Sequence, residues 1–409
     1  MHGLPPRQRC GKPAYARRVP PLVSELVVEG YRSVKHSRLM LEPLCALVGE
    51  PETGKSNLLA ALRAVLDPAV SVEPDDRLRG GSGQIALEAR VAHGARFGVD
   101  GVPPDVVRSA EATPPPVLYL PAAARAEELV AAAESPAADI FRRAAADRAL
   151  AQPAISEALE ACCEAEIAGV VLLVEEPELY LGPQGQRYLY RTLRRFVEAG
   201  NQVIYSTHAP TFLNAARLDE VVFVERLEST GTRVARAAPV TAEKDFRVLS
   251  EFDAERSELL LARAALLVEG LTEKLAFPFV FAALGFDADR EGITIVECGG
   301  KANIPMFARV CAAAGVPCVA VHDRDARPGR RPRLSERVNN ALVREAAGAE
   351  RTIVVEPDFE GLAHLPGGAR KPEQAWHRFA SLRAAQMPEP LRRAAQLAVE
   401  LARSSAERR

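Results

Sequence analysis

The sequence predicts an α/β protein with parallel sheets, organised in more than one domain. Three observations predict it. Short apolar runs alternate with helical patterns along most of the chain, and strand–helix–strand–helix is the order that builds a parallel sheet. Four runs, Cys45–Val48, Val170–Val174, Leu266–Val268 and Val319–Val321, are apolar throughout, as strands covered on both faces are, and each meets glycine or acid within two residues of its end. A chain of 409 residues also exceeds one ordinary core, so two or three domains are expected.

The bulk numbers set limits. Hydrophobic residues make up 48% and aromatics 5%, so the cores are built from Leu, Val, Ala and Ile. The net charge is −2, so any signal for nucleic acid must be local. The seven cysteines (Cys10, Cys45, Cys162, Cys163, Cys298, Cys311 and Cys318) form no CxxC pair and no zinc spacing. They read as buried reduced thiols of a cytoplasmic protein. No apolar stretch approaches the ~18–20 residues of a membrane span. Met1 to Pro21 carries arginines and a lysine but no apolar core, so it reads as a basic tail rather than a secretory signal.

Leu22–Val28 reads as a strand, and Gly30 to Lys35 as a turn into a second. Cys45–Val48 is a buried strand, and Leu58–Leu66 has helical spacing. Pro68–Gly83 is a connection, and Gln84–Val91 alternates like an exposed strand. Residues 101–116, closing on three prolines, read as a loop or linker. Val117–Leu120 is a short strand. Ala122–Ala168 is helical, broken near Pro136 and Pro153. Strands at Val170–Val174, Gln202–Ser206 and Val221–Val224 flank a helix over 184–199. After a polar stretch, a second α/β pattern starts. It has strands at Leu266–Val268, Ile293–Glu297, Val319–Val321 and Thr352–Val355. Its helices are Glu273–Leu284, Ile304–Ala314, Ser335–Ala346 and residues 373–403. The expected domains are a tail (1–21), a first α/β domain (22–245), a linker (246–262), a second α/β domain (263–360) and a C-terminal helical extension (361–409).

Chemistry is concentrated at the strand ends. Gly49-x4-Gly54-Lys55-Ser56 follows an apolar strand and opens a helix, the context of a phosphate-binding loop. Glycines let backbone N–H groups wrap an anion, and the helix start adds positive potential. Lys55 then reaches the β- and γ-phosphates of ATP, Ser56 ligates Mg²⁺, and Asn57 belongs to the same binding set. The strand Val170–Val174 ends in Glu175 and Glu176. The first acid orients the metal and the second polarises the attacking water. Glu175 stands where aspartate is more usual. Gln202–Ser206 leads to His208, placed to sense the γ-phosphate or the water. These segments, in this order, resemble the ABC-type ATPases of the SMC/RecF class over roughly Leu22 to Arg236. No signature segment of the Leu-Ser-Gly-Gly kind precedes Val170, which puts hydrolysis across a dimer in doubt.

The second cluster is acidic. Glu269 ends one apolar strand, Asp323 and Asp325 end another, and Glu273 lies one helical turn beyond Glu269. Carboxylates at the ends of neighbouring parallel strands can converge, and clustered hard oxygens hold Mg²⁺ or Mn²⁺. Gly299-Gly300 ends a further strand, as if the backbone must pass close to something. The arrangement resembles a Toprim domain. The resemblance implies Glu269 as general acid/base, Asp323 and Asp325 as metal ligands, and Glu273 as the extra acid of the nuclease branch.

An ATPase of this type followed by Toprim resembles the overcoming-lysogenization-defect (OLD) family of ATP-dependent nucleases. Glu175 to Gln184 and Ser206 to Pro210 look very like that family. Glu356-Pro-Asp-Phe-Glu360 resembles its late acidic segment, with Glu356 a metal ligand, and Lys371 resembles its active-site lysine. The resemblance implies an ATP-binding, metal-dependent DNA endonuclease that contacts the DNA backbone, assembles as a homodimer or higher homo-oligomer, and acts in phage defence. Arg324, Arg327, Arg330, Arg331, Arg333 and Arg337 lie beside the acids and could line a DNA track. A non-catalytic ATP-dependent DNA clamp is the alternative. A topoisomerase needs a nucleophilic tyrosine in a separate domain, and the seven tyrosines lie in the first 205 residues.

Overall fold

The structure, a computed structural model, describes residues 20–408 except 92, 123–134, 147–152, 180, 214, 228–230, 238–253, 325–332 and 366–369. The chain opens with β1 (Val23–Tyr31), β2 (Val34–Met40), β3 (Leu44–Val48) and α1 (Lys55–Leu66). There follow β4 (Ile85–Val91), β5 (Arg96–Val102), β6 (Asp105–Ala110), β7 (Val117–Leu120), α2 (Pro136–Ala146), α3 (Pro153–Glu164), β8 (Val171–Glu175), α4 (Pro183–Glu198) and β9 (Gln202–Thr207). Next come β10 (Val221–Leu227), β11 (Gly231–Arg236), β12 (Ala264–Val268), α5 (Leu271–Ala283), β13 (Ile293–Glu297), α6 (Ile304–Ala313) and β14 (Cys318–Asp323). The chain ends with α7 (Leu334–Ala347), β15 (Thr352–Val355), α8 (Lys371–Ala380) and α9 (Glu389–Arg408).

These elements fall into two compact units. The first takes the chain up to Tyr31, Arg38–Cys45 and Leu59–Tyr205; the second takes Arg32–Ser37, Ala46–Leu58 and Ser206–Arg409. In the first, β1, β4, β5 and β6 pair as antiparallel neighbours, and β7 lies parallel to β8. β6 and the end of β5 occupy residues expected to be loop, and the rest of β5 lies in residues to which the sequence reading assigned no element. The strands of this β5–β6 hairpin carry charge on exposed positions, with only Phe97 and Val99 buried. Apolar alternation was therefore too weak to mark it, and backbone pairing decides. β4 buries Ile85, Leu87 and Ala89, so it is half-buried rather than exposed. The buried Gln202 side chain takes the Val23 N–H (2.7 Å) and donates to the carbonyls of Val23 (2.9 Å) and Glu42 (3.0 Å), tying β9 to β1.

In the second unit, β10 runs parallel to β3 and antiparallel to β11, which the sequence reading did not include. A separate four-stranded sheet has the order β13-β12-β14-β15, all parallel. β12 is buried along its whole length because both faces are covered. On one face, Phe277, Val280 and Phe281 of α5 join Leu391, Ala394, Ala395, Ala398 and Ala402 of α9 over Leu266, Val268, Val319 and Val321. The last helix is thus a wall of this core and not an appendage to it. No helix among the described residues is long and apolar enough to cross a membrane. Cys45, Cys162, Cys298, Cys311 and Cys318 are buried free thiols, as expected.

Candidate active site

The glycine-rich loop of the second unit is held from behind by a polar cluster. Thr232, fully buried on β11, donates its hydroxyl to the Thr53 carbonyl (2.8 Å) and lies 2.8 Å from the Ser33 hydroxyl. Asn57 donates to the same Ser33 oxygen at 2.7 Å, so its side chain braces the loop. This packing leaves no room for side chains. A Cβ on Gly54 (φ +105) would meet Thr232 Oγ1 at 2.3 Å, and one on Gly49 would meet the Val224 carbonyl at 2.0 Å. Lys55 is buried, its Nζ donating to the carbonyls of Gly49 and Glu50, both at 2.8 Å. Ser56 follows in the first turn of α1. His208 joins Gly49 and Thr53 around a cavity of about 400 Å³, also lined by Leu260 and Arg263. The loop meets the demands of a nucleotide's phosphates: glycines where the backing leaves no room for a side chain, a lysine within the loop and a helix start after it.

In the first unit, Glu175 ends β8 and accepts the Tyr119 hydroxyl at 2.7 Å, while Tyr119 lies under the Arg63 guanidinium (4.7 Å to the ring centre). Glu176 follows with φ 44°, the left-handed region that a non-glycine residue occupies only at a cost. Each candidate is therefore held: Glu175 by a phenol, Glu176 by a constrained backbone.

The acidic centre lies at the C-terminal ends of the four parallel strands, where open α/β sheets bind ligands. The register pairs Leu266 with Val319 and Asp323 with Val355, bringing the ends of β12, β14 and β15 level. Glu269 and Asp323 meet there: the Asp323 N–H donates to Glu269 Oε1 at 2.7 Å. The Asp323 carboxylate accepts the Phe359 N–H at 2.8 Å. Burial pushes Asp323 up to about 8, and the charges of Glu269 and Glu273 add to the rise. Glu273, buried in the first turn of α5, takes the Gly270 N–H (3.2 Å); burial pushes it up to about 7, with Glu269 and Glu360 acting the same way. Such crowding of carboxylates is the donor set a divalent cation relieves. Among the described residues no three His, Cys, Asp or Glu side chains already form a metal cage. Asp325 lies outside the described residues, as do Arg327, Arg330 and Arg331.

The late segment sorts itself. Glu360 is the acid whose charge reaches Asp323 and Glu273, and it accepts from Lys371 Nζ at 2.7 Å. The hydrogen bond to Glu360 raises Lys371, and the charges of Glu360, Asp358 and Asp323 add to the rise. Glu356, expected as a ligand, instead pairs with Arg324 on the surface, its side chain 58% exposed. Asp358 caps the helical turn Phe359–Leu362, accepting the Gly361 N–H at 2.7 Å. Arg333 and Arg337 are exposed. One residue was missed. Lys301 follows Gly299-Gly300, is 7% exposed, donates to the Asp323 carbonyl and lies 3.9 Å from Glu269 Oε1. The signal was present, since a lysine directly after a double glycine at a strand end is well placed to meet neighbouring strand-end acids.

Fold and site define an α/β protein with a glycine-rich loop between strand and helix and an acidic centre at the strand ends of a parallel sheet. Residues 260–325 match the family model of the overcoming lysogenization defect protein-like TOPRIM domain. Over that segment the chain is similar to the Toprim domain of OLD-like proteins. It is 34% identical over 241 residues to the OLD nuclease of Thermus scotoductus, covering 54% of this chain and 46% of that protein. It is 27% identical over 169 residues to the Old nuclease of Escherichia phage P2, covering 40% of this chain and 29% of that protein. The chain thus spans less than half the length of these curated relatives. Among solved structures, the SMC head domain from Thermotoga maritima has a TM-score of 0.38 at 14% identity, covering 53% of this chain and 99% of that one. The C-terminal region of the Burkholderia pseudomallei OLD protein has a TM-score of 0.30 at 18% identity, covering 34% and 98%.

Proposed function

We propose that this chain is a divalent-metal-dependent DNA endonuclease whose Toprim centre hydrolyses phosphodiester bonds under the control of ATP bound at Gly49–Ser56. The observation that carries the reading is the 2.7 Å contact between the Asp323 N–H and the Glu269 carboxylate, across 54 residues of sequence. A bound Mg²⁺ or Mn²⁺ supplies Lewis acidity and lowers the pKa of a water. Glu269, Asp323 and Asp325 would hold it, with Glu273 beside them. Glu269 is the acid/base, its carboxylate oriented by the Asp323 N–H. Lys371 offers positive charge to the phosphate as negative charge builds on it. At the glycine-rich loop, Lys55 and the loop amides would bind the phosphates, Ser56 would hold Mg²⁺ and His208 would act on the attacking water. DNA is held through its backbone by arginines such as Arg324, Arg333 and Arg337. The resemblance to OLD nucleases extends the proposal to a homo-oligomer acting in antiviral defence.

Nicking of supercoiled plasmid tests the reading, with Mg²⁺ or Mn²⁺ and with or without ATP. Wild type is expected to nick, E269A and D323A to be blank, and K55A to lose the ATP dependence alone. A wild type as inactive as E269A under every condition refutes the nuclease and leaves an ATP-dependent DNA-binding clamp.

A further inference from the structure

The acidic centre contains a cation of its own. The turn through Gly299-Gly300 is fixed across the end of β12, the Gly300 N–H donating to the Glu269 carbonyl at 2.7 Å and Asn303 Nδ2 to the Cys298 carbonyl at 2.9 Å. This carries Lys301 inward. Its Nζ donates to the Asp323 carbonyl, which His322 Nδ1 also approaches at 2.9 Å, and lies 3.9 Å from Glu269 Oε1. Lys371 answers Glu360 at a more exposed position, whereas Lys301 is 7% exposed and bridges the ends of β12 and β14 from below.

We infer that Lys301 is a positioning residue that serves as the resident counter-cation of the Toprim centre, holding the Asp323 backbone beside Glu269 and competing with the divalent metal for the Glu269 carboxylate. The inference rests on the metal-dependent reading above. A brace would need only a hydrogen-bond donor under the Asp323 carbonyl. Lysine adds a unit charge within 4 Å of a Glu269 oxygen, and a unit charge at that range opposes any divalent ion seated on the same oxygens. The charge therefore sets the affinity for metal downward, and the hydrogen bond sets the geometry. The two roles separate by substitution. K301Q keeps a donor and loses the charge, K301M loses both, and K301R keeps both.

Mn²⁺ binding to the full chain, read from the electron paramagnetic resonance signal of the free ion, tests the inference. K301Q is expected to bind Mn²⁺ about ten-fold more tightly than wild type, and K301R to stay within about two-fold of it. E269Q, which removes a ligand charge, is expected to bind more weakly. K301Q binding no more tightly than wild type overturns the inference and leaves the metal site standing. Should K301Q fail to fold, K301R departing by more than about five-fold overturns it instead. Absence of Mn²⁺ binding by wild type removes the metal site itself, and the inference with it.

Discussion

Asp323→Asn tests the electrostatics of the acidic centre away from any reaction. Asparagine keeps the oxygen that accepts the Phe359 N–H and removes the negative charge crowded against Glu269 and Glu273. The native carboxyl is raised to about 8 from an ordinary 3.8. The sign follows from linkage. An acid whose folded pKa lies above its unfolded one binds its proton more tightly in the native state. Stability is therefore greatest below the unfolded value and is lost as pH climbs through the folded one. A shift of about 4 units corresponds to an upper limit of roughly 5–6 kcal/mol. Part of it is burial that asparagine also suffers, and part is shared with Glu273, so about 1–3 kcal/mol is the expected gain on substitution. In a unit of this size that is a rise in Tm of ~3–10 °C. The assay is thermal melting in EDTA at pH 5.5 and at pH 8.5. D323N should melt above wild type at pH 8.5, the gain should shrink at pH 5.5, and nicking should be lost. Equal melting at both pH values, or a D323N protein weaker at pH 8.5, refutes the crowding argument.

Divalent metal should reproduce that gain in wild type: 1 mM Mn²⁺ at pH 8.5 raises Tm if it exceeds the Kd by an order of magnitude or more, worth about 1.4 kcal/mol or above, and does not raise it in D323N. Thr232→Val removes the hydroxyl under the Thr53 carbonyl, so a fluorescent ATP analogue should bind about ten-fold more weakly while nicking without ATP is unchanged. Gly49→Ala drives a methyl into the Val224 carbonyl and should cost more than 2 kcal/mol, read as a fall in Tm or loss of soluble protein. Leu391→Ala empties a fully buried position of the last helix and should cost about 2–4 kcal/mol by denaturant titration, whereas an appendage would tolerate it.

The parts legible in the sequence were those that local pattern controls. β13 and β15 lie where the apolar runs placed them, at Ile293–Glu297 and Thr352–Val355, and the helix expected at Ile304–Ala314 ends one residue earlier. A strand buried on both faces must be apolar throughout and must stop where the chemistry starts, so Glu269 and Asp323 marked themselves. The β5–β6 hairpin did not, because its exposed, charged residues carry no periodicity and its strands are fixed by pairing to β4. The last helix looked separable for a related reason. Its alanine- and leucine-rich face fits any apolar partner, and nothing local says that the partner is the β12–β14 sheet.

Taken alone, then, the sequence determined the α/β class, the glycine-rich loop between strand and helix and the identity of the strand-end acids, since these follow from residue type and spacing within a few turns of chain. Tertiary structure decided what depends on register between distant strands. It set the Asp323 N–H on the Glu269 carboxylate, turned Glu360 rather than Glu356 toward the centre, and buried Lys301 beneath it. Charges interact through space and not along the chain, so which acids crowd one another, and which cation answers them, exists only once the strands are side by side.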